Sequence, residues 1–313
     1  MKVFVAGASG AVGKQLVPQL LAGGYEVVAM TRSPRHTEAL RAAGAEPVVA
    51  DALDRLAVMR AVEQTRPEVI IHQLTALTGV KDYKNFDQEF ALTNRLRTEG
   101  ADYLLEAARA VGARRFIAQS FGNWDYARTG TGLKTEDDPL DPYPPRNQTK
   151  SLEAIQHLES AVTGTPGIEG IALRYGNLYG PGTGFARDGD IVAMVRKRSL
   201  PIVGSGAGVW SFIHVYDAAS AAVAAIQQGA PGIYNIADDE PAPVSVWLPD
   251  LARVVGARPP IHLPVWIARM IIGEVGISMM TEIRGASNAK AKRELGWQPC
   301  YKTWREGFRK GLG

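Results

Sequence analysis

The stretch Gly7-Ala8-Ser9-Gly10-Ala11-Val12-Gly13 constrains this chain more than any other. It follows an apolar, β-branched run, Lys2 to Ala6, without a break, and leads into Val12 to Ala22, where apolar residues recur at three- and four-residue spacing. A strand that turns through glycines directly into a helix is the first unit of a β-α-β crossover, and such a unit requires a parallel neighbouring strand. The unit then repeats. Glu26 to Thr31, Glu46 to Ala50, Glu68 to Gln73, Arg115 to Ser120 and Glu169 to Arg174 read as further strands. Helical spacing fills Thr37 to Ala43, Arg55 to Gln64, Phe86 to Ala110 and Thr149 to Ala161 between them. Runs such as Val69-Ile70-Ile71 fit burial on both faces of a sheet. The expected class is α/β, a doubly wound parallel sheet with helices on both sides.

The glycine spacing is that of a phosphate-binding turn. Gly7 suits the tight turn, Gly10 lets backbone approach a pyrophosphate, and Gly13 permits close packing of helix on sheet. Ser9 adds a hydroxyl, and the amides around Ala11 and Val12 face the anion at a helix N-terminus. The second strand ends in Thr31-Arg32-Ser33, with Arg35 close behind, where an NAD site commonly carries an acid for the ribose hydroxyls. Arginines and hydroxyls there suit a 2′-phosphate, so NADP is expected ahead of NAD. Asp51, with Ala52 and Leu53 after the third strand, is placed to meet the adenine.

After Arg174 the regularity fails, because Gly and Pro cluster at Gly176 to Gly184 and at Pro201 to Gly208. The expected division is a dinucleotide-binding part over residues 1–175 with a return segment over 211–238. A smaller, discontinuous C-terminal substrate lobe takes 176–210 and 239–313. With 46% hydrophobic and 21% charged residues and a net charge of +3 from scattered basic positions, the composition does not suggest a nucleic-acid partner. The single cysteine, Cys300, excludes an intrachain disulfide, and neither an export signal nor a membrane span is expected: Pro264 to Ile277 is interrupted by Arg269 and Glu274. A cytoplasmic protein is the expectation. The five histidines and lone cysteine lack ligand spacing, so no metal site is expected, and His72 and His214 read as packed or hydrogen-bonded.

The glycine turn, Asp51, Asn94, Ser120, Lys150 and Tyr179-Gly180-Pro181-Gly182 together resemble the extended short-chain dehydrogenase/reductase superfamily. The later runs Phe212-Ile213-His214-Val215-Tyr216-Asp217 and Ala289 to Trp297 resemble its NAD(P)-dependent epimerase/dehydratase branch. The resemblance implies a Rossmann-type sheet, with Leu74, Thr75, Ala76, Asn94 and Lys150 also near the dinucleotide. It further implies a small-molecule substrate near Thr78, Asn123, Trp124, Arg146, Asn177, Tyr179 and Trp210, and a homodimer formed through a four-helix bundle that includes the Phe86 to Ala110 helix. Trp210 stands where relatives that handle nucleotide sugars carry an arginine, which points to a smaller or more apolar substrate.

In that superfamily a Ser or Thr orients the substrate oxygen and a Tyr four residues before a Lys exchanges the proton. Ser120 and Lys150 match the outer two, but Arg146 stands in the Tyr position, and a guanidinium stays protonated. Three readings follow. Tyr143, or else Tyr126, Tyr175, Tyr179 or His214, supplies the missing group; the reaction needs no strong protein acid; or the protein binds NADP without turnover as a regulator. The expected function is NADP-dependent hydride transfer at a carbonyl or alcohol carbon of a small, non-nucleotide substrate. A redox-neutral epimerase or dehydratase that retains NAD(P) is the alternative, as is the regulator. Trp247, Trp266, Met270, Met279 and Met280 are either lobe core or pocket lining.

Overall fold

The computed structural model describes residues 1–77, 82–130 and 132–313. Strands β1 (Lys2–Ala6), β2 (Glu26–Thr31), β3 (Glu46–Val49), β4 (Val69–His72), β5 (Arg115–Phe121) and β6 (Glu169–Tyr175) correspond to the six strands expected. Among the helices that connect and cover them are α1 (Gly13–Ala22), α2 (Thr37–Ala42), α3 (Arg55–Thr65), α4 (Phe86–Glu89), α5 (Ala91–Arg95), α6 (Ala101–Val111) and α7 (Thr149–Gly164). The stretch from Phe86 to Val111 is therefore not one regular helix: it turns at Phe90 and widens into a π turn over Leu96–Gly100.

Past β6 the chain forms the short strands β7 (Asn177–Tyr179), β8 (Ile202–Val203), β9 (Val209–Trp210) and β10 (Phe212–His214), then α9 (Val215–Ala224) and β11 (Gly232–Ile236), with α8 (Asp190–Arg196) between β7 and β8. Strand β11 joins the large sheet as a seventh member, giving the order β11-β6-β5-β4-β1-β2-β3, parallel throughout. Its outer edge is covered by side chains: Asn235 N–H donates to Glu136 Oε1 at 2.7 Å, and Lys290 Nζ donates to the Ile233 carbonyl at 2.8 Å. These bonds occupy groups that would otherwise template another strand.

Alternation along each strand feeds two cores. Val3, Val5, Ile71, Ile117 and Leu173 pack on the face covered by α1 and α9, whereas Phe4, Ala6, Ile70, Phe116 and Ala118 pack on the face covered by α3, α6 and α7. A third core gathers around Phe185, Trp210, Phe212, Trp247 and Trp304, mostly from the C-terminal part of the chain, and takes in Phe86, Phe90 and Trp124. Met279 and Met280, near the end of α11 (Val265–Thr281), belong to this core, as does Trp247, while Trp266 and Met270 on its first half are exposed. Glycine at 273, with φ +67, separates the two halves. Among the described residues no helix is long and apolar enough to cross a membrane.

Candidate active site

The glycine turn carries the sheet edge into α1. Gly7 sits at φ +96, and a Cβ there would lie 2.7 Å from the Gln73 carbonyl oxygen; one on Gly13 would lie 2.3 Å from the Gly7 carbonyl. These two positions are closed by backbone, whereas Gly10 is exposed and a Cβ there would meet nothing nearer than 3.4 Å. Helix α1 has no side-chain cap and no acid in its first turn; the Lys14, Gln15 and Leu16 amides bond back to the Gly10 and Val12 carbonyls, so the amides of residues 11–13 and the positive dipole end are left for an external anion. The arrangement fits the pyrophosphate of a dinucleotide. A Cβ on Gly182 would lie 3.6 Å from Ala11 Cβ, which places the Gly180–Gly182 turn of the second lobe against the same loop.

Around this cradle stand several of the expected residues. Ser9 Oγ lies 3.3 Å from Thr31 Oγ1, and Thr31 is buried while Arg32 and Arg35 are exposed. Arg35 Nε donates to His36 Nε2 at 3.1 Å. Asp51 closes a small turn by accepting from Leu53 N at 3.0 Å, with Ala52 buried behind it. Leu74 and Ala76 are half-buried along the chain leaving β4, Thr75 is exposed, and Ala76 N donates to Thr93 Oγ1 at 3.1 Å. Thr78 lies outside the described residues.

Asn94 and Lys150 are brought together by an acid that sequence reasoning missed. Asp87 on α4 accepts from the backbone N–H of Lys150 at 3.1 Å and of Ser151 at 2.8 Å, and from Ser151 Oγ at 2.6 Å. Asn94 Nδ2 donates to the same Ser151 Oγ at 3.0 Å. A carboxylate thus caps α7 from a neighbouring helix and fixes the turn that carries the exposed Lys150 side chain.

Ser120 is placed differently from its expected role. It is 1% exposed, and its hydroxyl donates to Glu159 Oε1 at 2.7 Å. Glu159 forms a two-pronged pair with Arg174 at 2.7 Å, Arg174 donates to Tyr126 OH at 2.8 Å, and Tyr126 OH donates to Asn235 Oδ1 at 2.6 Å. Period-two alternation explains the outcome: Ser120 faces α7, and the half-buried Gln119 and Phe121 face the other way. Its hydroxyl ties α7 to the sheet rather than standing open to a substrate oxygen.

The candidate substitutes for the missing Tyr are similarly committed. Tyr126 is held in that network, and Tyr175 OH accepts from Gln73 Nε2 and donates to the Ala218 carbonyl, both at 3.1 Å. Tyr179 is fully buried against Gly307 in the lobe core, where burial pushes its phenol far up. His214 uses both ring nitrogens, accepting from Tyr216 N at 3.1 Å and donating to the Gly311 carbonyl at 2.9 Å, with burial lowering its pKa. Tyr143 is 82% exposed and Arg146 is exposed at the start of the turn before α7. No phenol or imidazole other than Tyr143, among those considered, is both free and accessible.

Several expected substrate contacts also have structural partners. Trp210 is buried against Trp247 with Nε1 donating to the Met279 carbonyl at 2.8 Å, so it builds the lobe core rather than a ring-binding surface. Asn123 Oδ1 accepts from Ser211 N at 3.3 Å, and Asn177 Nδ2 donates to the Ser211 carbonyl at 3.2 Å, so both hold the residue between β9 and β10. Trp124 packs edge-on against Phe86, with ring centroids 5.3 Å apart. The cluster it belongs to is aromatic and mostly buried: Phe121, half-buried, and Trp124 are 5.7 Å apart, and Phe86 and Phe90 stack at 4.2 Å.

Residues 3–237 match the model of the NAD dependent epimerase/dehydratase family. The chain belongs to that family. Across 98% of this chain and 99% of the relative it is 47% identical to a 3-diazoavenalumate denitrifying reductase from a Streptomyces species. It is 27% identical to a UDP-glucose 4-epimerase of Bacillus subtilis over 97% of this chain and 96% of the relative. The structure of Thermus thermophilus UDP-glucose 4-epimerase in complex with NAD superposes with a TM-score of 0.74 at 26% identity, covering 100% of this chain and 98% of that one. This member of the family is an extended short-chain dehydrogenase/reductase, an enzyme of the NAD(P)-dependent oxidoreductase or epimerase/dehydratase type.

Proposed function

We propose that this enzyme is an NADP-dependent reductase that delivers hydride to a small, non-nucleotide substrate whose reduction leaves no oxygen to be protonated. The observation that carries the proposal is the site itself: Ser120 is bonded to Glu159, and Arg146 stands in place of a phenol. A carbon bearing a diazo group in its diazonium form fits such a site. Hydride forms the new C–H bond, the C–N bond breaks, and N2 leaves with its electron pair, so R–N2⁺ and H⁻ become R–H and N2. No acid is needed. The 47% identical relative is named for a denitrifying reduction of a diazo compound, which supports this choice over a carbonyl.

When bound, the coenzyme supplies the hydride. The chain's own residues hold and orient it: the α1 amides receive the pyrophosphate, Arg32 and Arg35 receive the 2′-phosphate, and Lys150 reaches the nicotinamide ribose from the turn that Asp87 fixes. The exposed outer faces of α6 and α7, where His157 Nε2 lies 2.8 Å from Asp102 Oδ1, would pair with those of a second copy.

The test combines NADPH with benzenediazonium and with simple ketones. Expected is enzyme-dependent loss of NADPH absorbance with release of N2, above the enzyme-free rate, and transfer of deuterium from C4-deuterated NADPH to the carbon that carried nitrogen. Replacing Arg32 and Arg35 together by Ala should weaken NADP by roughly ten- to a hundredfold and leave NAD nearly unchanged. Turnover of ketones alone would overturn the diazo reading, and binding without any turnover would make the protein a regulator.

A further inference from the structure

Arg97 touches the networks described so far only through Asn94. It lies in the π turn, is 4% exposed, and forms no ion pair among the described residues. Its guanidinium makes one long hydrogen bond, Nη1 to Asn94 Oδ1 at 3.5 Å, and stands 6.0 Å from the centre of the Phe90 ring. Of the two carboxylates whose charge reaches it, Glu159 is paired with Arg174 and Ser120, while Asp125 holds the Asn123 N–H through Oδ1 and leaves Oδ2 without a partner among the described residues; neither forms an ion pair or a hydrogen bond with Arg97. Burial without a counterion disfavours a cation, and it lowers Arg97 to about 10, which leaves it charged near neutral pH.

Its location is specific. The π turn sits against the end of β4, where His72 Nε2 donates to the Leu96 carbonyl at 3.1 Å and the Arg97 charge reaches the His72 ring. Asn94, its hydrogen-bond partner, also holds Ser151 beside Lys150. The Phe90 side of Arg97 continues into the aromatic cluster of buried Phe86 and Trp124, which reaches half-buried Phe121. A π turn inserted into a helix is itself a feature that concentrates at functional sites.

We propose that Arg97 receives an oxyanion borne on an aromatic ring of the substrate, a carboxylate or a phenolate, with the ring lying along the Phe90–Phe121 wall. The guanidinium fork suits such an oxyanion, and the ligand would supply the counterion that the protein does not. The inference deepens the reading above and rests on it for the position of the reacting carbon.

Calorimetry on the protein saturated with NADP tests it, using benzoate and 4-nitrophenolate against uncharged benzamide. For the wild type, at least one anion should bind tighter than benzamide by about tenfold or more; which of the two does so tells carboxylate from phenolate. Arg97→Met should erase that preference, Arg97→Lys should keep part of it, and all three proteins should bind NADP alike. The melting temperature of Arg97→Met should not fall, since it loses an uncompensated charge. Equal preference in wild type and Arg97→Met overturns the proposal, as does no preference in the wild type. So does a clear fall in melting temperature that Arg97→Lys repairs, which marks a structural cation. Should NADP not bind at all, the reading of the previous subsection fails by itself, and the anion comparison on the protein alone still decides the role of Arg97.

Discussion

Asp125 and His72 are both buried at the C-terminal edge of the sheet, and they make stability depend on pH in opposite senses. Among the described residues Asp125 Oδ2 has no hydrogen-bond partner, and burial, outweighing the attraction of Arg174, pushes its carboxyl up to about 7. Below the ordinary value near 3.8 the acid is neutral folded or unfolded; as pH rises toward about 7 the unfolded chain ionises first, so the native state loses stability. His72 is held at about 4 by burial, so its contribution is present above 6.5 and is lost as pH falls toward about 4. Asp125→Asn removes the first effect and leaves the second, so His72 cancels in the comparison. The variant should therefore melt higher than wild type at pH about 8, by up to about 4 kcal/mol, with the gap closing near pH about 4. A gap independent of pH, in melts across that range, would mean that Asp125 titrates normally.

At the level of elements, the start of α7 depends on another helix. Its first turn has no side-chain cap of its own, and Asp87 on α4 supplies the acceptor for two backbone amides and the Ser151 hydroxyl. Asp87→Ala should lower stability by about 1–2 kcal/mol and, with the coenzyme proposed above, raise the KM for NADPH, because the turn carrying Lys150 is released. Loss of stability with KM unchanged would show that the turn is not needed to present that lysine. The strands, the glycine turn and the crossover helices were legible because each depends on local periodicity. The pairing of β11 with β6 joins residues 61 positions apart, so although residues 211–238 read as a return segment, the choice of β6 as partner leaves no local signal. Which side Ser120 faces depends on strand parity against α7, and Gln119-Ser120-Phe121 carries no alternation that would reveal it. Arg97 did leave a trace: it falls seven residues after Phe90 and four before Ala101, on the apolar side of the helix, where a charge is out of place.

Across the whole molecule, the final residues tie the two lobes together. Leu312 is buried in the lobe core, its carbonyl accepts from Arg187 N at 3.0 Å, and the neighbouring Gly311 carbonyl accepts from His214, which caps α9 beneath the large sheet. Asn123 and Asn177 add further bonds between the β5 and β6 ends and Ser211. With these polar ties, the third core and the large sheet should unfold as one unit. The tryptophans allow a direct check: Trp124, Trp210, Trp247 and Trp304 lie in the lobe core, whereas far-ultraviolet circular dichroism is dominated by the sheet and its helices. Leu312→Ala removes buried apolar volume and should cost about 2–5 kcal/mol. Both signals should then move to the same lower melting temperature, and a saturating nicotinamide coenzyme should raise both together by ligand linkage. Fluorescence that shifts while the dichroism transition stays in place would show that the lobe melts independently, and that the ties through Gly311 and Ser211 do not transmit its stability to the sheet.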